Sequence, residues 1–152
     1  MAASKSKKVK QEKRPPDPHV GQVQNPIAYY SLHPAWHFSS CDTDMWRFTE
    51  ADVGDVFWSE ILPYLKSMET RTWGDIMVSA KKQNHSIAVD TLNPIAQKRF
   101  ADLCIEAEAV ISLRLSGTHR LYGYNVGQVF CILWYDNDHG DNDTCVCRSR
   151  KK

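Results

Sequence analysis

The sequence predicts a single α+β domain, and three observations predict it. A strand-like stretch opens the folded part, amphipathic helical patterns follow, and three alternating strands joined by two tight turns close it. Strands and helices that come in runs, rather than in strict alternation, mark an α+β architecture; here helices are expected on one face of a twisted antiparallel meander. With 152 residues, 42% of them hydrophobic and 11% aromatic, the chain can build one core without covalent staples.

The elements follow in chain order. Residues 1–27 carry Lys, Gln, Pro and Ser with few large apolar groups, and "KRPPDPH" at 13–19 excludes a helix because each proline removes a donor and restrains its neighbour. This segment reads as a disordered basic arm, residues 28–147 as the domain, and residues 148–152 as a basic tail. In "AWHFSS" at 35–40, Trp36 and Phe38 show the two-residue period of a strand. Thr49, with Asp52 three residues on, has the form of a capping box. Val53, Phe57, Ile61, Leu65 and Met68 then recur at helical steps, with Gly54 and Pro63 predicting a kink or a break. Thr72 is placed to cap a short helix through Trp73, Ile76 and Met77. The four tryptophans Trp36, Trp46, Trp58 and Trp73 are expected in the core. After a short strand-like piece at 85–90, Asn93 and Pro94 mark the start of a helix carrying Ile95, Phe100, Leu103 and Cys104. Ile111, Leu113 and Leu115 alternate with Ser112, Arg114 and Ser116 in the first strand of the meander. Turns at 116–118 and 125–127 lead to Leu121-centred and apolar 128–136 strands.

Charge is unevenly placed. Residues 1–14 hold six basic groups and one acid, and residues 148–152 hold four basic groups, leaving nine basic against seventeen acidic residues between them. Basic tails of this kind hold polyanions or simply solvate the chain. No apolar run reaches the roughly 20 residues needed to span a bilayer, and the N-terminus has no apolar stretch behind its basic residues. A cytoplasmic location is expected. The odd count of five cysteines is read there as free thiols.

The densest chemistry lies in "SLRLSGTHRLYGYNVGQVFCILWYDNDHG" at 112–140. Thr118-His119-Arg120-Leu121 with Tyr122, an apolar strand after it, and His139 nearly twenty residues beyond Arg120 resemble the RelE/YoeB branch of bacterial toxin ribonucleases, part of the RelE/ParE superfamily of toxin–antitoxin systems. The resemblance covers about thirty residues well and the remaining element order loosely. It implies an endoribonuclease, or mRNA interferase, that cleaves RNA by metal-free general acid/base chemistry. It also implies RNA or the ribosome as target, an antitoxin protein as partner, and neither a membrane nor a small-molecule cofactor. The alternative within the same superfamily is a non-catalytic binding protein that inhibits a nucleic-acid-handling partner. A third reading leaves nucleic-acid binding to the basic arm.

Residue chemistry agrees with roles for several positions. Arg120 offers a planar fork of donors to a phosphate, and Arg114 a second contact. His139 has the titration range of a general acid. Glu106, Glu108 and His119 are candidates for the base; the family's glutamate sits farther ahead of its arginine than Glu106 or Glu108 does, so its role is not carried over to either. Tyr122, Tyr124 and Tyr135 are candidates for stacking on bases. Plainer roles stand beside these: Arg120 pairing with Glu106, Glu108 or Asp136 across the sheet, Arg114 on a solvent face, His119 satisfying turn backbone, His139 exposed without a role. The chain departs from the compact toxins in its arm and helical insertion, in its acidic body, and in continuing past His139. Zinc-type ligands occur as His33, His37 and Cys41 and as Cys145-Val146-Cys147; Pro34 and the Cys-x-Cys spacing argue against both, and no metal is expected. "DNDHGDND" has the composition of a calcium loop without its helix–loop–helix setting or distal glutamate. No P-loop, GxGxxG, GxSxG or HExxH is present.

Overall fold

The computed structural model describes residues 26–140 and 145–147. The expected arm, apart from residues 26 and 27, and the basic tail lie outside the described residues. After a 3₁₀ turn at Pro26–Tyr29, the elements are β1 (Ala35–His37), α1 (Glu50–Val56), α2 (Leu62–Glu69), β2 (His85–Ala88), α3 (Pro94–Asp102), β3 (Ala109–Ser116), β4 (His119–Val126) and β5 (Val129–Asp136). π-helical turns occupy Phe57–Ile61, between α1 and α2, and Asp75–Ser79. The α+β class is therefore observed.

The five strands form one sheet in the order β1-β5-β4-β3-β2. The expected meander is its centre: β3 pairs antiparallel with β4, and β4 with β5. Left-handed glycines turn both hairpins, Gly117 at φ 47° and Gly127 at φ 61°. The sheet is mixed rather than antiparallel, because β1 lies parallel to β5 and pairs Trp36 with Phe130. The edges, β1 and β2, are only three and four residues long. Short edge strands limit strand addition by another chain.

Helices cover both faces, which corrects the one-face expectation. Side chains alternate across a strand. Ile111, Leu113, Leu121, Phe130, Ile132 and Tyr135 therefore meet Val53, Ile61, Leu65, Trp73 and Ile76 on one side. Val110, Tyr122 and Trp134 meet Ala96 and Phe100 of α3, with Leu92 and Val146, on the other. Each fully buried Leu or Ile in these cores is worth about 1.5–3 kcal/mol of transfer free energy.

Local signals set the helix ends. Asn93 accepts from the Ile95 N–H at 2.9 Å and Pro94 sits in the first turn of α3, as expected. Thr72 and Asp75 form a reciprocal capping box, with N–H donors at 3.2 and 3.3 Å. Thr49 is the N-cap of α1, but its hydroxyl donates to the Asp52 carboxylate instead of capping the backbone. The break expected within 53–68 is observed as the π turn at Phe57–Ile61, which separates α1 from α2 just before Pro63. Trp58, within that π turn, is 74% exposed, so it is not a core tryptophan, whereas Trp73 is fully buried. Among the described residues, no helix is long and apolar enough to cross a membrane.

Candidate functional site

The antiparallel register fixes what stands beside what. Ser112 pairs with Tyr122, and Arg114 pairs with Arg120. Arg120 in turn pairs with Asp136, and Tyr122 with Trp134. Directly paired residues share a face, so Arg114 and Arg120 stand side by side on the α3 side of the sheet. On β2, His85 pairs with Ser112 and so joins that face, where it is exposed. The buried Asn84 locks this edge: its Nδ2 donates to Ile76 O at 3.0 Å and its Oδ1 accepts from Arg114 N at 3.2 Å.

Asp136 stands across from Arg120 and its charge acts on the guanidinium, but the two form no ion pair. The buried Asp136 carboxylate accepts from the backbone N–H of Asp138 and of Val146, each at 3.0 Å. Arg120 instead directs one terminal nitrogen to Gly117 O at 2.7 Å and to His119 O at 3.0 Å. Among the described residues, neither Arg114 nor Arg120 has an ion pair. Burial, and then the charge of Arg114, push Arg120 below its ordinary value. The cross-sheet pairing considered for Arg120 is absent among those residues, as are ion pairs from Glu106 or Glu108.

His139 comes to the same face from the loop after β5. Its backbone N–H donates to Thr118 O at 2.9 Å, tying the loop to the β3–β4 turn. Its Nδ1 lies 3.1 Å from the Tyr122 hydroxyl. Burial, followed by the charge of Arg120, lowers its pKa, with Asp136 acting against them and His85 and Arg114 adding to the depression. Across the sheet the order is therefore His85, Arg114, Arg120, His139, each from a different strand or loop.

His119 is elsewhere. Its position alternates with Arg120, so its ring lies on the opposite face, with Nδ1 3.1 Å from Glu60 Oε2 and 3.1 Å from the Tyr135 hydroxyl. Ser116 donates to the other Glu60 oxygen. The four expected catalytic residues thus divide: Arg114, Arg120 and His139 come together, and His119 leaves them for a Glu60–Tyr135–Ser116 cluster. Its role is not limited to turn backbone. The stacking expectation fails for Tyr122 and Tyr135, whose side chains are buried at 0% and 6% exposure and offer no ring face. Tyr124 is half-buried; its hydroxyl lies 3.2 Å from Ser40 Oγ, in a cleft of about 410 Å³ that Arg99 and Asp42 also line.

The cysteine expectation also needs correcting. Cys145 and Cys147 are joined in a disulfide, while Cys41, Cys104 and Cys131 are free. A bend at Cys145 and Val146 brings the two Cα atoms to 5.3 Å, which makes the pairing local. His33, His37 and Cys41 do not assemble: His33 Nδ1 lies 2.9 Å from Arg71 O, and the His37 ring contacts Ser39. Sequence reasoning missed His85 and Glu60. Both lie outside the quoted stretch, and only strand register and helix packing bring them to it.

No protein-family model matches the chain, and neither a curated protein nor a solved structure matches it.

Proposed function

We propose that the chain is an endoribonuclease of the RelE/YoeB type, working at the face that carries Arg114 and Arg120. The observation that carries this reading is the arginine pair. Two guanidinium groups on adjacent strands, neither held in an ion pair among the described residues, form a site for a doubly charged oxyanion. The scissile phosphate of RNA becomes such a group as its pentavalent state forms, and donors held in place for that charge lower the barrier. His139 and His85 flank the pair and serve as the acid–base couple. One takes the 2′-hydroxyl proton as the 2′-oxygen bonds to phosphorus, and the other protonates the 5′-oxygen as its bond to phosphorus breaks. His119 is outside this set, and its substitution is expected to act on the Glu60 cluster instead.

Cleavage of a single-stranded RNA, with and without ribosomes, tests the reading in wild type and in Arg114→Ala, Arg120→Ala, His85→Ala and His139→Ala, each checked by circular dichroism. Loss of one arginine is expected to slow cleavage about 100-fold or more, the scale of a lost transition-state donor. Unchanged cleavage by folded Arg120→Ala removes Arg120 from the chemistry. A second reading, a non-catalytic RelE/ParE-fold inhibitor of a nucleic-acid-handling partner, draws on the burial of Tyr122 and Tyr135, which leaves no stacking platform there. It gains if wild type arrests bacterial growth through these arginines while cutting no RNA in either condition.

A further inference from the structure

The Cys145–Cys147 pair faces His139, and three potential ligand atoms converge there. His139 Nδ1 lies 3.7 Å from Cys145 Sγ and 3.5 Å from Cys147 Sγ. Among the described residues this is the one group of three or more His, Cys, Asp or Glu side chains able to hold a metal ion. A tetrahedral zinc with Zn–S near 2.3 Å and Zn–N near 2.05 Å separates a sulfur from a nitrogen by roughly 3.6 Å. Both observed separations fall about that value.

The surroundings hold the ligands in place. Val146 N donates to Asp136 Oδ2 at 3.0 Å, and Asn93 N donates to Val146 O at 3.1 Å. Asn93 Nδ2 donates to Cys145 O at 3.1 Å, and Cys147 bridges to Leu92. The segment is thus clamped between β5 and the start of α3 with both sulfurs within reach of His139 Nδ1. A second layer of bonds of this kind is what orients metal ligands elsewhere. The bend at Cys145 and Val146 brings the two Cα atoms within 5.3 Å, so the Cys-x-Cys spacing does not keep the sulfurs from one ion.

We propose that, once Cys145 and Cys147 are reduced, they and His139 Nδ1 bind one zinc ion, with solvent in the fourth position. The steps balance with a thiol reductant. Two reductant thiols give up two electrons and two protons, form their own disulfide, and leave Cys145 and Cys147 as thiols. Zinc then displaces a proton from each, and the two sulfurs open to roughly 3.8 Å across the ion. Two thiolates and an imidazole favour zinc over the hard cations magnesium and calcium. A cation on Nδ1 takes up the lone pair with which His139 exchanges a proton, so the zinc-bound chain is expected not to use His139 as acid or base; metal binding itself is read independently of RNA cleavage.

The test uses the full chain, reduced and desalted without oxygen, and reads metal binding directly. Cobalt(II) titration is expected to give thiolate-to-cobalt charge-transfer absorption saturating at one ion per chain, and zinc to bleach it. Cys41→Ser/Cys104→Ser is expected to bind as wild type does. Cys145→Ser/Cys147→Ser is expected to lose the absorption, and His139→Ala to weaken zinc at least about 100-fold, beyond what loss of an outer-shell partner costs. The wild-type spectrum needs no variant to fold, so its absence overturns the site outright. Absorption that survives in Cys145→Ser/Cys147→Ser does the same, by assigning the metal to other thiols.

Discussion

At the scale of single residues, Asp42 gathers five polar bonds on its buried carboxylate. Both its oxygens bind Arg99, at 2.7 and 2.8 Å. It also accepts from the buried Trp134 indole at 2.9 Å and from the backbone N–H of Asp44 at 2.9 Å and of Met45 at 3.4 Å. Burial alone raises its pKa, but Arg99, the Asp44 and Met45 amides and Trp134 together outweigh that and hold the carboxyl at about 2, from an ordinary 3.8. A carboxyl lowered on folding adds stability that is complete above its unfolded value and lost as pH falls through its folded value. The contribution of Asp42 is therefore expected to fade from about pH 4 toward pH 2. Asp42→Ala strands the Trp134 indole and two backbone donors, and is expected to cost about 2–3 kcal/mol at neutral pH. Urea unfolding of wild type and Asp42→Ala from pH 7 downward checks both parts: the gap between the two should narrow in acid, and a gap independent of pH contradicts the assignment.

At the scale of elements, the bulge between β4 and β5 depends on a glycine. The register slips between Tyr122 and Gly123, leaving Leu133 as the extra residue. A Cβ on Gly123 would stand 2.2 Å from Cys131 O and 2.7 Å from the Phe130 ring. Gly123→Ala must push the strands apart or move that ring, and about 2–3 kcal/mol of destabilisation is expected from overpacking of this kind. Gly117→Ala meets no atom within 4 Å but keeps the strained φ of 47°; its expected cost is about 1–2 kcal/mol. Thermal or urea unfolding of the two variants ranks the steric cost against the conformational one. What the sequence discloses follows the same division. Asn93-Pro94, Thr72-Asp75, the two turn glycines and the alternation of β3 and β4 are local signals, and the structure carries each of them. The parallel pairing of β1 with β5, the π turn that holds Trp58, and the placement of α3 on the second face depend on distant packing, which no window of sequence contains. The site divides likewise. Arg114 and Arg120 share a hairpin and could be read together, whereas His119 reads as their neighbour in sequence and departs because adjacent strand positions face opposite ways.

At the scale of the whole molecule, two basic ends bracket a body with nine basic and seventeen acidic residues. A body of that charge repels RNA at long range, so under the proposed function affinity must come from the arginine face, from the basic ends, or from both. Salt separates these sources, because each phosphate contact on a single strand contributes about 0.7 to the slope of log K against log salt. Arg114→Ala/Arg120→Ala removes two contacts and is expected to lower that slope by about 1.4. Deleting residues 1–14 removes six basic groups and is expected to reduce the slope by no more than about 4. Both cores are built from residues outside that deletion, so folding is expected to survive it. If the face does the chemistry, the truncated chain binds more weakly but cuts the same RNA at the same positions, while the arginine variant loses cutting however low the salt. If binding vanishes with the arm and the arginine variant retains the wild-type slope, the arm is the nucleic-acid module and the arginine face has another partner. Fluorescence anisotropy with a labelled oligoribonucleotide over a salt series, run beside the cleavage assay, distinguishes the two.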